Sequence, residues 1–310
     1  MTICVCALAE KTTLIAACDR MVTAGDVEFE PSQAKIWELS PAIYVLLAGD
    51  LTLQAEILKE VHKEVRQMIV ENPNQWVSIK HCVELYCKEY RAVLRREAER
   101  EILSPLALDI NSFLLKQGEM HVDMANDLKN RLIEYEFPSL LETIFVGHDT
   151  DGPVDVKTGV PLIYAQMYLT EGDKMSLRST VGFAAIGGGK AHAESELMVS
   201  GHSPSDSFEN TLLEVYSAKK RSEVAPGIGK QTDMLVLGPA IARVLKVEDR
   251  HIEEFERIYQ RSRASNNRIL ENTRKRVTQS VERIRKEYKE KSAAETEKPS
   301  SEKPGTEEES

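Results

Sequence analysis

No apolar run in the 310 residues approaches the eighteen or so that a membrane-spanning helix needs. No positively charged segment precedes a hydrophobic stretch of the signal-peptide kind. These absences predict a cytoplasmic protein with no membrane partner. Positive charge is not in excess either. Forty Lys and Arg face fifty Asp and Glu, a formal net charge of −10, which argues against nucleic acid as a partner. Cysteine is sparse: Cys4, Cys6, Cys18, Cys82 and Cys87 are an odd number in apolar runs, with no Cys or His pair at zinc spacing. They read as reduced, buried thiols, and neither a metal nor another cofactor is expected. The run Gly187-Gly188-Gly189-Lys190 lacks the full Walker spacing, so a nucleotide cradle is not expected there. No internal repeat of solenoid period is visible.

What is present is 42% hydrophobic and 29% charged residues, enough for one substantial core. The chemistry-bearing residues gather in the first fifty. Thr2 follows the initiator Met, and a small second residue favours Met removal. The product would carry a hydroxyl and a free α-amino group on one residue. Such an amine has an ordinary pKa of about 7.7–8, so a modest shift leaves much of it neutral and able to act as a general base for its own hydroxyl. Ile3–Leu8 and Thr13–Cys18 are apolar runs separated by Glu10-Lys11, and they read as a hairpin of strands buried on both faces. Asp19 ends the second strand beside the start of the first. Residues 34–39 and 43–48 are a third and a fourth strand, joined by a Ser40-Pro41 turn. Gly49 ends the fourth, where a backbone N–H can approach a substrate closely. Lys35 lies in an apolar strand and must pair or lose its charge; Asp19 is the obvious partner.

These residues resemble the β-type subunits of the proteasome, within the N-terminal nucleophile (Ntn) hydrolases. That family carries an N-terminal Thr, a strand-ending Asp followed by Ser-Arg-Ala-Thr-Ala-Gly, then a Lys and an Ala-Gly. Here the matching residues are Thr2, Asp19-Arg20-Met21-Val22-Thr23-Ala24-Gly25, Lys35 and Ala48-Gly49. The separations from Asp19 to Gly25, Lys35 and Gly49 match the family's, and Thr2 to Asp19 is one residue longer. The opening Met-Thr-x-Cys-Val is similar to the bacterial ancestral β-subunit (Anbu) branch. The resemblance implies that Thr2 is the nucleophile and, once freed, the amine base. Lys35 would lower the pKa of amine and hydroxyl while Asp19 holds it, and the Gly49 N–H would stabilise the oxyanion. Thr23 would hold the substrate backbone as an added strand. Val22, Leu47 and Leu51 would line an apolar specificity pocket. The family's Ser at the strand–Gly-Ser-Gly–helix junction falls on Gly188, a departure. The Asp and Ser that support the amine are assigned to Thr232 and Asp233, with Glu223 and Pro226 as the other option.

The resemblance also implies an α+β fold, a four-layer αββα Ntn-hydrolase sandwich with an insertion and a C-terminal helical extension. Residues 1–246 would form the proteasome-like domain. Helical spacing marks residues 52–70 and 76–102. Residues 103–142 are an elaboration, with a short hairpin at 114–120 and a helix from Met124 to Phe137. A second sheet takes in residues 143–147 and 161–168 and the strand after Glu171-Gly172-Asp173, with turn residues at His148-Asp149. The strand 180–186 leads to helices at 191–200 and 205–218, and a last strand covers 234–237. Residues 247–290 read as one long helix or weak coiled coil, and 291–310 as a disordered acidic tail. The expected activity is a threonine-type peptidase cleaving amide bonds in peptides or unfolded protein, within a homo-oligomer and with an unfoldase as a candidate partner. A catalytically inactive scaffold or assembly subunit and a small-molecule amidase are the alternatives.

Overall fold

The apolar runs do form strands, and antiparallel pairing joins them into two five-stranded sheets. The computed structural model describes residues 2–24, 27–31, 35–73, 76–149, 164–238 and 244–296. β1 (Cys4–Ala9) and β2 (Thr13–Asp19) are the expected hairpin, with Cys4 opposite Cys18 and Ala9 opposite Thr13. Every residue of both strands is buried, as strands covered on both faces require. Glu10 and Lys11 at the turn both have positive φ, the conformation that matches strand twist in a tight hairpin. Their N–H groups donate to the carbonyls of Asp206 and Pro204, which helps hold two non-glycine residues there.

β3 (Val22–Ala24) and β4 (Val27–Phe29) make a separate short hairpin. β5 (Ile36–Ser40) and β6 (Ile43–Ala48) follow. α1 (Leu51–Glu71) starts at Asp50, whose carboxylate accepts from the N–H groups of Thr52 and Leu53, and α2 (Ile79–Ala98) is capped by Ser78. The chain continues through a π-helical turn at Glu99–Leu103 into α3 (Ile110–Lys116) and α4 (Val122–Ile133). The hairpin expected at 114–120 is therefore absent. Asp109 and Ser112 form a reciprocal capping box, and Phe113 is buried with Ile102, Leu103 and Leu128 in a small core of its own.

β7 (Glu142–Asp149), β8 (Tyr164–Glu171), β9 (Lys174–Leu177) and β10 (Phe183–Ile186) come next. His148 and Asp149 are buried strand residues, not a turn. The Asp149 carboxylate accepts from the N–H of Ile79 at the start of α2, 3.2 Å away, and the His148 ring bonds the Thr12 carbonyl. The turn at 150–152 and the strand start at 161–163 lie outside the described residues. α5 (Lys190–Ser200), α6 (Phe208–Ser222), β11 (Thr232–Leu237) and β12 (Val244–Lys246) complete the first compact unit, residues 1–252.

One sheet has the order β10-β1-β2-β11-β12 and the other β5-β6-β7-β8-β9. The fold is thus α+β, with two antiparallel sheets. One core gathers Cys4, Cys6, Leu14 and Ala16 of the first sheet with Leu46, Ile144, Val146 and Met167 of the second. A second core places Ile57, Leu58 and Val61 of α1 and Cys82, Val83 and Tyr86 of α2 with Val45, Leu47, Phe145 and Tyr168. Strand alternation separates the two sets, since Val45 and Leu47 take one face of β6 while Tyr44, Leu46 and Ala48 take the other. α5 and α6 contact β10, β1 and β2. All five cysteines are free and buried.

The second unit, residues 253–310, is described only within α7 (Asp249–Thr296), where Ile269, Val277, Val281 and Ile284 are exposed. The helix takes in residues 291–296, which were expected to be disordered; Ala293, Ala294 and Glu295 favour helix. Residues 297–310 lie outside the described residues. Among the described residues no helix is long and apolar enough to cross a membrane.

Candidate active site

The ends of β2, β5 and β6 converge on Thr2, the residue two positions before β1. Ile3 and Asp19 face each other across the hairpin. The Asp19 N–H donates to the Ile3 carbonyl at 3.0 Å, and the Ile3 N–H returns to Asp19 Oδ1 at 2.8 Å. Lys35 Nζ donates to the same oxygen at 2.7 Å. Oδ2 accepts from the N–H groups of Gly229 at 3.0 Å and Met21 at 3.2 Å. Four donors thus converge on one buried carboxylate. A buried charge needs this degree of compensation to be tolerated. Because one of the four is the N–H of Ile3, the carboxylate also fixes the backbone on which Thr2 sits.

Thr2 and Lys35 border a cleft of about 910 Å³ that is also lined by Val22, Gly49, Leu51, Glu142, Gly188 and Lys190. Gly49 has φ +98°, and a Cβ there would collide with the Leu140 carbonyl oxygen, so this position accepts only glycine. The Gly187–Gly189 turn lies directly on Thr2. A Cβ on Gly187 would collide with the Thr2 carbonyl oxygen, and the Gly189 N–H donates to that oxygen at 3.4 Å. Gly188 lines the cleft with no side chain to offer it.

The structure therefore brings Thr2, Asp19, Lys35, Gly49 and Gly188 together. Val22 and Leu51 also border the cleft. Leu47 does not: its side chain is 2% exposed in the core against α1 and α2, because strand alternation turns it to that face of β6. Thr23 is the middle residue of β3, and its side chain lies outside the described residues, as do Met1 and Gly25. Thr232 pairs with Asp19 across β11 and β2, and it is buried. Asp233, on the opposite face, accepts from Arg20 Nε at 2.8 Å and does not line the cleft. The last loop reaches the site through Gly229 instead. Lys219 Nζ anchors that loop, donating to the carbonyls of Gly229 and Lys230 and to Glu223. Burial pushes the Lys219 pKa down, against the pull of Glu223.

Glu142 and Lys190 also border the cleft, and sequence alone assigned neither a role there. Glu142 begins β7, and its Oε2 accepts from the Gly187 N–H at 2.7 Å while Oε1 accepts from Lys190 Nζ at 2.7 Å. Lys190, the first residue of α5, also donates to Glu171 at 3.0 Å. The hydrogen bond to Glu142 raises the Lys190 pKa; burial opposes this, and the bond to Glu171 adds to it. A carboxylate just before the apolar run 143–147 was the signal available, as Lys35 was before its own strand.

Among the described residues one trio has donor atoms suited to a metal: His202, Asp206 and Glu214. His202 Nδ1 lies 2.7 Å from Glu214 Oε2, and Asp206 accepts from the Ser203 N–H, so ordinary hydrogen bonds account for it. No protein-family model and no curated protein matches the chain.

Proposed function

We propose that this chain is a threonine-type Ntn hydrolase of the proteasome β-subunit kind, cleaving amide bonds in peptides or unfolded protein. One observation carries the reading. A threonine two positions from a strand start borders a cleft together with a buried lysine, and that lysine is paired to a carboxylate with three further donors. Packing supports the matching architecture. With α1 and α2 on one sheet, α5 and α6 on the other and an apolar core between the sheets, the layers would be those of an αββα sandwich.

With Met1 removed, the amine of Thr2 takes the proton of its own hydroxyl as Oγ attacks the substrate carbonyl carbon. The carbonyl electron pair moves onto oxygen, where the Gly49 N–H meets it. The positive charge of Lys35 favours the neutral amine and the developing alkoxide. Collapse expels the leaving amine with the proton, and water then hydrolyses the ester on Thr2. Val22 and Leu51 favour an apolar substrate side chain. Gly188, which lacks a hydroxyl, favours the second reading, an inactive scaffold.

Intact mass decides between the two. The hydrolase predicts protein without Met1 that gains the mass of a peptide epoxyketone or β-lactone, and Thr2→Ala abolishes that gain. Purified protein that retains Met1 and takes no label favours the scaffold. Thr2-dependent turnover of small amides but not of peptides would make it an amidase.

A further inference from the structure

α1 turns one polar side chain into the core. Gln54 is fully buried, on the same helical face as Leu58, Val61 and Val65. Its Nε2 donates to the carbonyls of Ala48 at 3.0 Å and Glu142 at 3.2 Å, and its Oε1 accepts from the Tyr86 hydroxyl at 2.8 Å. Two carbonyls facing one end of the amide require its NH2 group there, and the Tyr86 hydroxyl secures the other end. Among the described residues no peptide bond is cis. The Ala48 carbonyl and the Gly49 N–H therefore belong to one trans peptide plane and point in opposite directions. Drawing that carbonyl onto buried Gln54 turns the Gly49 N–H the other way, and Gly49 borders the cleft shared by Thr2 and Lys35.

We propose that Gln54 is a positioning residue for the reaction. It fixes the peptide plane that presents the Gly49 N–H to the oxyanion formed as Thr2 Oγ bonds to the substrate carbonyl carbon. The proposal rests on the hydrolase reading above. An N–H held only by a mobile strand end would have to be reoriented during the reaction, whereas a preorganised one costs nothing at that moment. The same amide holds the Glu142 carbonyl, so the end of β7 that carries the Glu142 side chain is set by the same group.

The test uses full-length protein and a peptide β-lactone, with the maximal rate of Thr2 acylation and the half-saturating concentration measured separately. Gln54→Met keeps the side-chain length and removes both donors. The expected result is a fall in maximal rate of about 10–100-fold with an unchanged half-saturating concentration. Tyr86→Phe loosens the amide and should lower the same rate by less. Gln54→Glu supplies a pH signature. Ionised, it repels the two carbonyls; protonated, its single O–H donates to one of them. Its rate relative to wild type should therefore rise as pH falls, which a merely structural role would not produce. These two variants carry the test if Gln54→Met does not fold. Wild-type labelling at Thr2 with equal maximal rates in the variants, or losses confined to the half-saturating concentration, overturns the proposal and leaves the hydrolase reading standing. No labelling of wild type at Thr2 overturns both.

Discussion

Two lysine–carboxylate pairs border the cleft, and they are built differently. Lys35 and Asp19 are sealed, with side chains 2% and 0% exposed, and the carboxylate takes three backbone N–H groups besides the ammonium. Lys190 and Glu142 stand at the rim. Glu142 is buried, but Lys190 is 40% exposed and shares itself with Glu171. A sealed pair acts through a low local dielectric and barely feels salt, whereas an exposed one is screened within about 10 Å at moderate ionic strength. The first can hold a fixed positive charge beside a reacting group. The second can hold backbone while remaining free to exchange partners.

The comparison breaks most sharply if the two lysines are removed in turn. Lys35→Met leaves Asp19 buried with backbone donors alone, and a broken buried pair costs about 3–5 kcal/mol. Denaturant unfolding should show that loss, and Thr2 labelling should vanish in whatever remains folded. An unchanged unfolding midpoint would mean that the pair is not sealed in solution. Glu142→Ala should rank second. It strips the Gly187 N–H of its acceptor and Lys190 of its buried partner, costing about 1–3 kcal/mol. Because the Gly187–Gly189 turn rests on Thr2, labelling should slow as well. Glu142→Gln retains an acceptor for Gly187, so it should recover most of the labelling rate; failure to do so would assign the effect to charge and not to the turn.

Lys190→Met is the weak counterpart. Glu142 keeps its bond from Gly187, and the lost pair is partly solvated, so the expected cost is about 0.2–1 kcal/mol and should shrink further in high salt. A loss as large as that of Lys35→Met, independent of salt, would erase the distinction between the pairs.

The sealed pair was legible in the sequence and the rim pair was not, for a physical reason. Lys35 sits among apolar residues and Asp19 ends an apolar strand, so each announces a buried charge that needs compensation. Glu142, Gly187 and Lys190 meet only because β7 and the turn after β10 come together; the place of Glu142 just before an apolar run hints at burial but names neither partner. Gln54 was detectable in part, as a polar residue on the apolar face of a helix whose period was otherwise clear. Continuous apolar runs and helical spacing gave β1, β2, β6, α1 and α2 within a few residues of their bounds. α3 was misread because its capping box and one buried Phe outweigh a weak local pattern. The assignment of Asp233 rested on adjacency to a strand, and alternation along β11 put it on Arg20.

Another buried ionisable group, His148, extends the comparison by having no charged partner among its described contacts. Near the other end of β7 from Glu142, His148 donates its Nε2 proton to the Thr12 carbonyl at 2.9 Å, and burial lowers its pKa from the ordinary value. The backbone bond opposes that shift without reversing it. Below an ordinary His pKa of about 6.5 the unfolded chain then binds more protons than the folded one, so stability falls as pH drops toward the folded value. One proton sets the slope at no more than about 1.4 kcal/mol per pH unit. His148→Gln should therefore flatten the acid side of the stability profile relative to wild type, as read from unfolding midpoints between about pH 8 and pH 5, about 1.5 units either side of that pKa. Thr2 labelling at pH 7 should be unchanged, because His148 does not line the cleft. Equal slopes in the two proteins would mean that the imidazole titrates alike in the folded and unfolded chains, and that burial in β7 does not keep it neutral.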